Sequence, residues 1–122
     1  MTVDYAEQLR ERVTFQWMED TGAPGAAGEW TDQFTLSARL KPRLMGGEGV
    51  IAGRMTGQQP YILTVRSDRR SRMVTASWRA YDARKGIGPN NKPRRLFEIL
   101  SLSDVQEDNR YLDFFVREGL PG

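Results

Sequence analysis

Five short stretches of this chain alternate apolar and polar residues with a period of two, a sixth is short and β-rich, and that pattern limits what it can fold into. Val13, Phe15 and Trp17 alternate with Thr14, Gln16 and Met18. Phe34, Leu36, Ala38 and Leu40 alternate with Thr35, Ser37, Arg39 and Lys41, up to Pro42, which cannot donate to a central ladder. Tyr61, Leu63 and Val65 alternate with Ile62, Thr64 and Arg66, and Val74, Ala76, Trp78 and Ala80 with Thr75, Ser77, Arg79 and Tyr81. The run Leu96–Leu102 and the stretch Tyr111–Arg117 complete the set. Breaker-rich segments such as EDTGAPGAAGE and GIGPNNKP lie between them. A strand with one apolar face must bury it against other strands. The pattern therefore predicts an all-β fold, a small antiparallel β-barrel or sandwich of about six strands with long loops. Closing the sheet would remove its edges. Residues 1–11 read as an N-terminal arm with at most a short helical turn, because Tyr5, Ala6 and Leu9 are too few apolar residues for a stable helix. At 122 residues the chain is expected to form one domain, 1–122.

The last two strands form a hairpin, Arg94–Gly119, around the polar cluster SDVQEDN. With an even loop, odd positions of one strand face even positions of the other. Phe97 and Ile99 then share a face with Leu112, Phe114 and Val116. The opposite face keeps Leu96, Leu100, Leu102, Tyr111 and Phe115, too many apolar residues for a solvated surface, so these five are the candidates for a subunit interface. Residues 43–59, RLMGGEGVIAGRMTGQQ, hold five glycines and no strand pattern. They read as a long flexible loop with at most a helical turn near Glu48–Ala52, and a loop of this length in a small domain is functional or disordered.

The chain has neither cysteine nor histidine. Disulfides, thiol chemistry, Ser-His-Asp and Cys-His sites and the common zinc sites are thereby excluded. The glycines of MGGEGVIAG lack the following G-K-[ST] of a phosphate loop. Asp104, Glu107 and Asp108 lack calcium-loop spacing and read better as a hairpin turn. No enzyme activity, metal or cofactor is expected. No apolar run is long enough to cross a membrane, and Met1–Arg12 is too polar for a signal peptide.

Charge is unevenly placed. Arg66–Arg95 carries ten Lys/Arg against two acids, net +8, while the remainder has eight basic and fourteen acidic residues, net −6. Such segregation suits either a nucleic-acid-facing surface or head-to-tail contact between neighbouring copies. Arg69, Arg70, Arg72, Arg94 and Arg95 are the candidates for DNA or inter-subunit contact. Small barrels that bind single strands combine basic grooves with exposed aromatics. Here Trp78 falls on the core face of its strand and Tyr81 on the face of Arg79, so Tyr81 is the aromatic expected to be exposed. No base-reading motif is present, and any DNA contact is expected to be with phosphate, without sequence preference.

The order of features resembles a known family. LRERVTFQ (9–16), a Gly-rich loop with Trp30, FTLSARLKPRLMGGE (34–48), YILTVR, WRAYDARKG and RRLFEILSLSDVQEDNRYLDFFVRE succeed one another over residues 9 to 118. The chain resembles the phage head–tail joining proteins, the head-completion or stopper family of tailed phages and related gene-transfer particles. GIGPNNKP lengthens the connection to the F-E-I strand beyond the family pattern. The resemblance implies a structural virion protein at the head–tail interface, made in the bacterial cytoplasm, that joins head to tail. It implies a cyclic homo-oligomer below the portal and adaptor proteins and above a tail terminator or the tail tube, with double-stranded DNA in its channel. The family's loop after the second strand faces that channel. Here it would comprise Leu44, Met45, Gly46, Gly47, Glu48, Gly49, Val50, Ile51 and Met55. A nucleic-acid-binding barrel and a tail-terminator or tail-completion subunit are the alternatives.

Overall fold

A computed structural model describes residues 6–20, 22, 24, 28–43, 59–103 and 110–119. Six strands occur: β1 (Glu11–Glu19), β2 (Glu29–Pro42), β3 (Pro60–Arg66), β4 (Arg79–Asp82), β5 (Leu96–Ser103) and β6 (Tyr111–Gly119). All pairings are antiparallel, and the order β1-β2-β3-β6-β5-β4 closes on itself as a barrel. The predicted all-β barrel is therefore the observed fold. Single 3-10 turns at Ala6–Gln8, Ser71–Met73 and Pro89–Asn91 are the helical elements among the described residues. The Pro89–Asn91 turn needs left-handed backbone at Asn90 (φ 63°) and Asn91 (φ 59°), which asparagine tolerates better than most residues.

The interior is built by the alternation. Val13, Phe15, Leu36, Ala38, Leu63, Val65, Ala80, Phe97, Ile99, Phe114 and Val116 point inward and are buried. Cross-strand registers place like with like: Val13 faces Leu36, Phe15 faces Phe34 and Ala80, and Leu63 faces Phe114. Phe15 meets Phe34 at 5.5 Å and Phe114 at 5.6 Å between ring centroids, tilted geometries that favour aromatic pairs.

The two barrel ends are closed differently. At the end where β1 finishes, Trp78 packs edge-on against Trp17 (5.4 Å) and tilted against Phe34 (5.8 Å). At the other end the Arg95 guanidinium lies over Tyr61 (5.7 Å) and Phe97 (5.0 Å). It donates to Glu118 (2.7 Å) and to the buried carboxylate of Asp82 (3.4 Å).

Two expectations are corrected. The fourth strand does not start at Val74. Residues 71–73 form the 3-10 turn, Ala76 is exposed, and β4 begins at Arg79. Val74 and Trp78 are buried from a turn rather than from a strand, because Trp78 supplies the aromatic plug. In the C-terminal hairpin the predicted parity holds for Phe97 and Ile99, opposite Glu118 and Val116. A bulge then intervenes, since Ile99 faces Val116 but Ser101 faces Phe115. Leu100 is the extra residue, and beyond it Leu102 pairs with the inward Phe114 instead of sharing the outer face with Leu96.

Candidate functional site

Closure gives every described strand a neighbour on both sides, but the pairing is partial. Among the described residues, Glu29–Ser37 of β2 has no strand partner on the β3 side, and Ile99–Ser103 of β5 has none on the β4 side. Interaction can use these stretches, the outer faces and the rims.

The first outer region is the β5–β6 hairpin. Leu100 is 49% exposed and Leu102 44%. Leu96 and Phe115 are partly buried, and Phe115 is covered by the Arg43 guanidinium, 4.6 Å above its ring. Tyr111 departs from the expectation. It is fully buried within the chain, with the guanidinium carbons of Arg66 and Arg110 at 6.0 and 5.7 Å from its ring. Tyr111 is thus not surface that a neighbour can reach. Two arginine guanidinium groups lie over the ring, a cover that alternation along β6 cannot reveal.

The candidate arginines divide. Arg95 is a structural plug, not a free phosphate ligand. Arg94 donates from Nη1 to the Lys85 carbonyl at 2.8 Å and braces the 83–95 connection. Arg70 pairs with Asp68 at 3.3 Å and lies 5.8 Å from the Phe34 ring. Arg72 donates from Nε to Ser67 Oγ at 3.0 Å, and Arg69 is exposed. Their turn is fixed by Ser71, whose buried hydroxyl donates to the Arg66 carbonyl (2.7 Å) and accepts from Asp68 N–H (2.9 Å). Burial would raise the Asp68 pKa, but hydrogen bonds from Ser71 N–H and from Arg70 outweigh it and hold the carboxyl below its ordinary 3.8. Arg12, Arg66 and Arg70 border one cleft of about 200 Å³, floored by Leu9 and Leu36. Arg12 is itself steadied by a 3.0 Å bond to Ser37 Oγ.

A second outer region was not apparent from the sequence. Gln16 and Asp32 face each other across β1 and β2, and Gln16 faces Arg79 across β1 and β4. Gln16 Nε2 donates to Asp32 Oδ1 (2.7 Å), Arg79 Nε donates to Gln16 Oε1 (2.7 Å), and Tyr81 Oη donates to Asp32 Oδ2 (2.9 Å). Arg79 also lies 4.4 Å over Trp30. Tyr81 is therefore buried, against the expectation of an exposed aromatic. Burial first, then its bond to Asp32, pushes its hydroxyl pKa up. A cleft of about 620 Å³ opens beside this network, lined by Glu29, Trp30 and Asp32 on one side and by Ile87 and Asn91 of the 83–95 connection on the other. The network joins residues up to 63 positions apart, and outward polar positions carry no periodic signal.

The proposed channel residues Leu44, Met45, Gly46, Gly47, Glu48, Gly49, Val50, Ile51 and Met55 lie outside the described residues. What is described is their base. Arg43 N–H donates to the Pro60 carbonyl and Glu118 N–H to the Gln59 carbonyl, each at 2.9 Å. Asp104, Glu107 and Asp108 also lie outside the described residues. No group of acidic side chains able to hold a metal occurs among the described residues.

Known proteins agree with this architecture. The fold is similar to a chain in the virion of a native gene transfer agent particle, with a TM-score of 0.59 and 14% identity, covering 93% of this chain and 96% of that one. It is similar also to the solution structure of protein SF1141 from Shigella flexneri 2a, with a TM-score of 0.61 and 20% identity over 95% and 97% of the two chains. No curated protein matches the sequence. The sequence of residues 5–119 matches the family model of the phage head completion proteins. The chain belongs to the phage head completion protein family, and is a structural protein of the phage or phage-like virion.

Proposed function

We propose that the chain is a non-enzymatic stopper subunit. Copies form a ring below the portal and adaptor proteins and above the tail terminator or tail tube, joining head to tail and helping to retain and pass DNA. The observation that carries this reading is the exposed Leu100, extruded by a bulge, with exposed Leu102 two residues on, in the part of β5 that no described strand pairs on the β4 side. Exposed leucines on this hairpin suit an interface with another protein. Partly buried Leu96 and Phe115 lie on the outer face, whereas Leu102, beyond the bulge, is on the face of Phe114 at the strand end.

Segment 44–58 is the channel loop in this reading. It leaves and re-enters the barrel at adjacent positions, Arg43 and Gln59, both tied to neighbouring strands. A fixed base with a glycine-rich excursion suits a segment that changes position between closed and open channel states. DNA would be met through phosphate and without sequence preference, with exposed Arg69 and Arg72 as further DNA or inter-subunit contacts.

Particles made without this chain test the reading. They are expected to lose packaged DNA and to lack attached tails. Particles that keep both would overturn it. Salt-sensitive binding of single-stranded DNA by the isolated chain, lost on replacing Arg69, Arg70 and Arg72, would favour a nucleic-acid-binding barrel instead.

A further inference from the structure

The β1–β2 hairpin is charged oppositely at its two ends. From Val13 to Ala38 the sequence contains four acids, Glu19, Asp20, Glu29 and Asp32, and no Lys or Arg. At the end of the paired strands, here the tip, before the 20–28 connection, Glu19 and Glu29 are directly opposite each other, and both are exposed. Like charges in that cross-strand position repel and are unfavourable unless a cation lies between or beside them. Asp32 is already engaged by Gln16 and Tyr81, and Arg79 is engaged by Gln16 and Trp30. Among the described residues, one side chain donates to a carboxylate of the Glu19–Glu29 pair, Trp17 Nε1 to Glu19 Oε1 at 2.9 Å. Next to this pair, Met18 is 47% exposed. Gly28 lies so close over Met18 that a Cβ there would come within 2.9 Å of its side chain, which restricts where the thioether can go.

The other end of the hairpin offers the complement. The cleft bordered by Arg12, Arg66 and Arg70 is floored by Leu9 and Leu36. Thr35 and Ser37 also line it, so its wall is mixed polar and apolar, with three guanidinium groups and the Asp68 carboxylate. The tip is an apolar side chain flanked by carboxylates. From Arg12 to Met18 is six residues of strand, roughly 20 Å at 3.3 Å each. A chain therefore cannot fill its own cleft with its own tip.

We propose that the β1–β2 tip of one copy docks in the arginine-rimmed cleft of the next, with Met18 against Leu9 and the Glu19–Glu29 pair against Arg12, Arg66 and Arg70. The occupant is a second copy of this chain. The contact joins two different surfaces, so it propagates head to tail and closes when the rotation permits a ring. It deepens the ring reading above and rests on it. DNA phosphate is the competing occupant of an arginine cleft. The preorganisation of Arg12 on Ser37, Arg66 over Tyr111 and Arg70 on Asp68 favours fixed carboxylates over a polymer that must slide.

The native chain has no cysteine, so a placed pair reports without background. Particles assembled with Met18→Cys/Leu9→Cys are mildly oxidised and run without reductant. The expected result is a ladder of covalent oligomers, absent for each single cysteine variant. Charge reversal gives an independent reading that does not need the disulfide. Glu19→Arg/Glu29→Arg and Arg12→Glu/Arg66→Glu should each lower incorporation into particles at least tenfold. An equimolar mixture of the two variants, or all four changes in one chain, should restore most of it. Thermal unfolding of each variant at the wild-type midpoint excludes misfolding, and a variant that fails it is replaced by Met18→Asp. A ring seen by electron microscopy without the ladder or the rescue would overturn this contact and leave the ring reading intact. Absence of any ring would overturn both. Arginine reversal that leaves the ring intact but releases DNA would assign the cleft to phosphate.

Discussion

Each of the two hairpins, β1–β2 and β5–β6, carries a one-residue bulge, and the bulges extrude different chemistry. In β1–β2 the register moves from Phe15–Phe34 to Gln16–Asp32, so Gln33 is the extra residue. Its side-chain amide donates to the Thr31 carbonyl of its own strand at 3.2 Å. In β5–β6 the extra residue is Leu100, which has no polar group to satisfy and stays half-exposed. A bulge that satisfies itself shapes the strand and re-aims the side chains beside it, here the network of Gln16, Asp32, Tyr81 and Arg79. A bulge that extrudes a leucine costs exposed apolar surface in the lone chain, a cost that a protein partner would recover. Inside the barrel the hairpins are equivalent, since Phe15 and Phe114 are both fully buried and touch each other.

That equivalence gives the largest predicted effect. Phe15→Ala and Phe114→Ala should each destabilise the fold by about 3–5 kcal/mol, measured by urea unfolding. A difference of several kcal/mol between them would show that one hairpin dominates the core. Next is Arg95→Ala, which removes the countercharge of Asp82 and leaves its carboxylate with the N–H groups of Arg84 and Lys85. Asp82 is only 5% exposed, but the pair with Glu118 is partly solvated, so a loss of about 2 kcal/mol is expected. Restoration of stability by Asp82→Asn in that background would identify the buried charge as the cause.

A smaller effect concerns the Asp68–Ser71 turn. The Asp68 carboxyl is held below 3.8 in the folded chain, so its contribution is fully present above about pH 4 and is lost as the pH falls through the folded value. Asp68→Asn should lower stability at pH 7 and flatten its fall below pH 4, read from unfolding midpoints across pH. The smallest changes in stability belong to the two bulges. Leu100→Asp and Gln33→Ala should each alter it by under about 0.5 kcal/mol, as surface changes do. They should part in assembly, with Leu100→Asp incorporated into particles at least tenfold less and Gln33→Ala unchanged. Equal loss of monomer stability and assembly in Leu100→Asp would make that leucine part of the core.

The interior was legible in the sequence because period two is all that a barrel strand needs to sort its faces. Phe97, Ile99, Phe114 and Val116 went inward as the alternation required. Val74 and Trp78 imitated that alternation from a turn, and exposed Ala76 is the residue that breaks it. The bulge at Leu100 was illegible, since one extra residue leaves composition unchanged while reversing the face of Leu102. The outer polar network was illegible for a different reason. Gln16, Asp32, Arg79 and Tyr81 look like ordinary solvated positions until closure brings β4 beside β1. Burial of Tyr111 beneath the Arg66 guanidinium likewise depends on a neighbour from another strand. Chain-local pattern shows which face is wet in isolation, and not which wet face the fold then covers.

Electron microscopy of the whole particle, with this chain located along its axis, tests the connector reading most directly. The account predicts a ring of copies between portal and tail, with the β5–β6 leucines at a protein contact. Copies found singly, away from the axis, or with Leu100 and Leu102 facing solvent would contradict it.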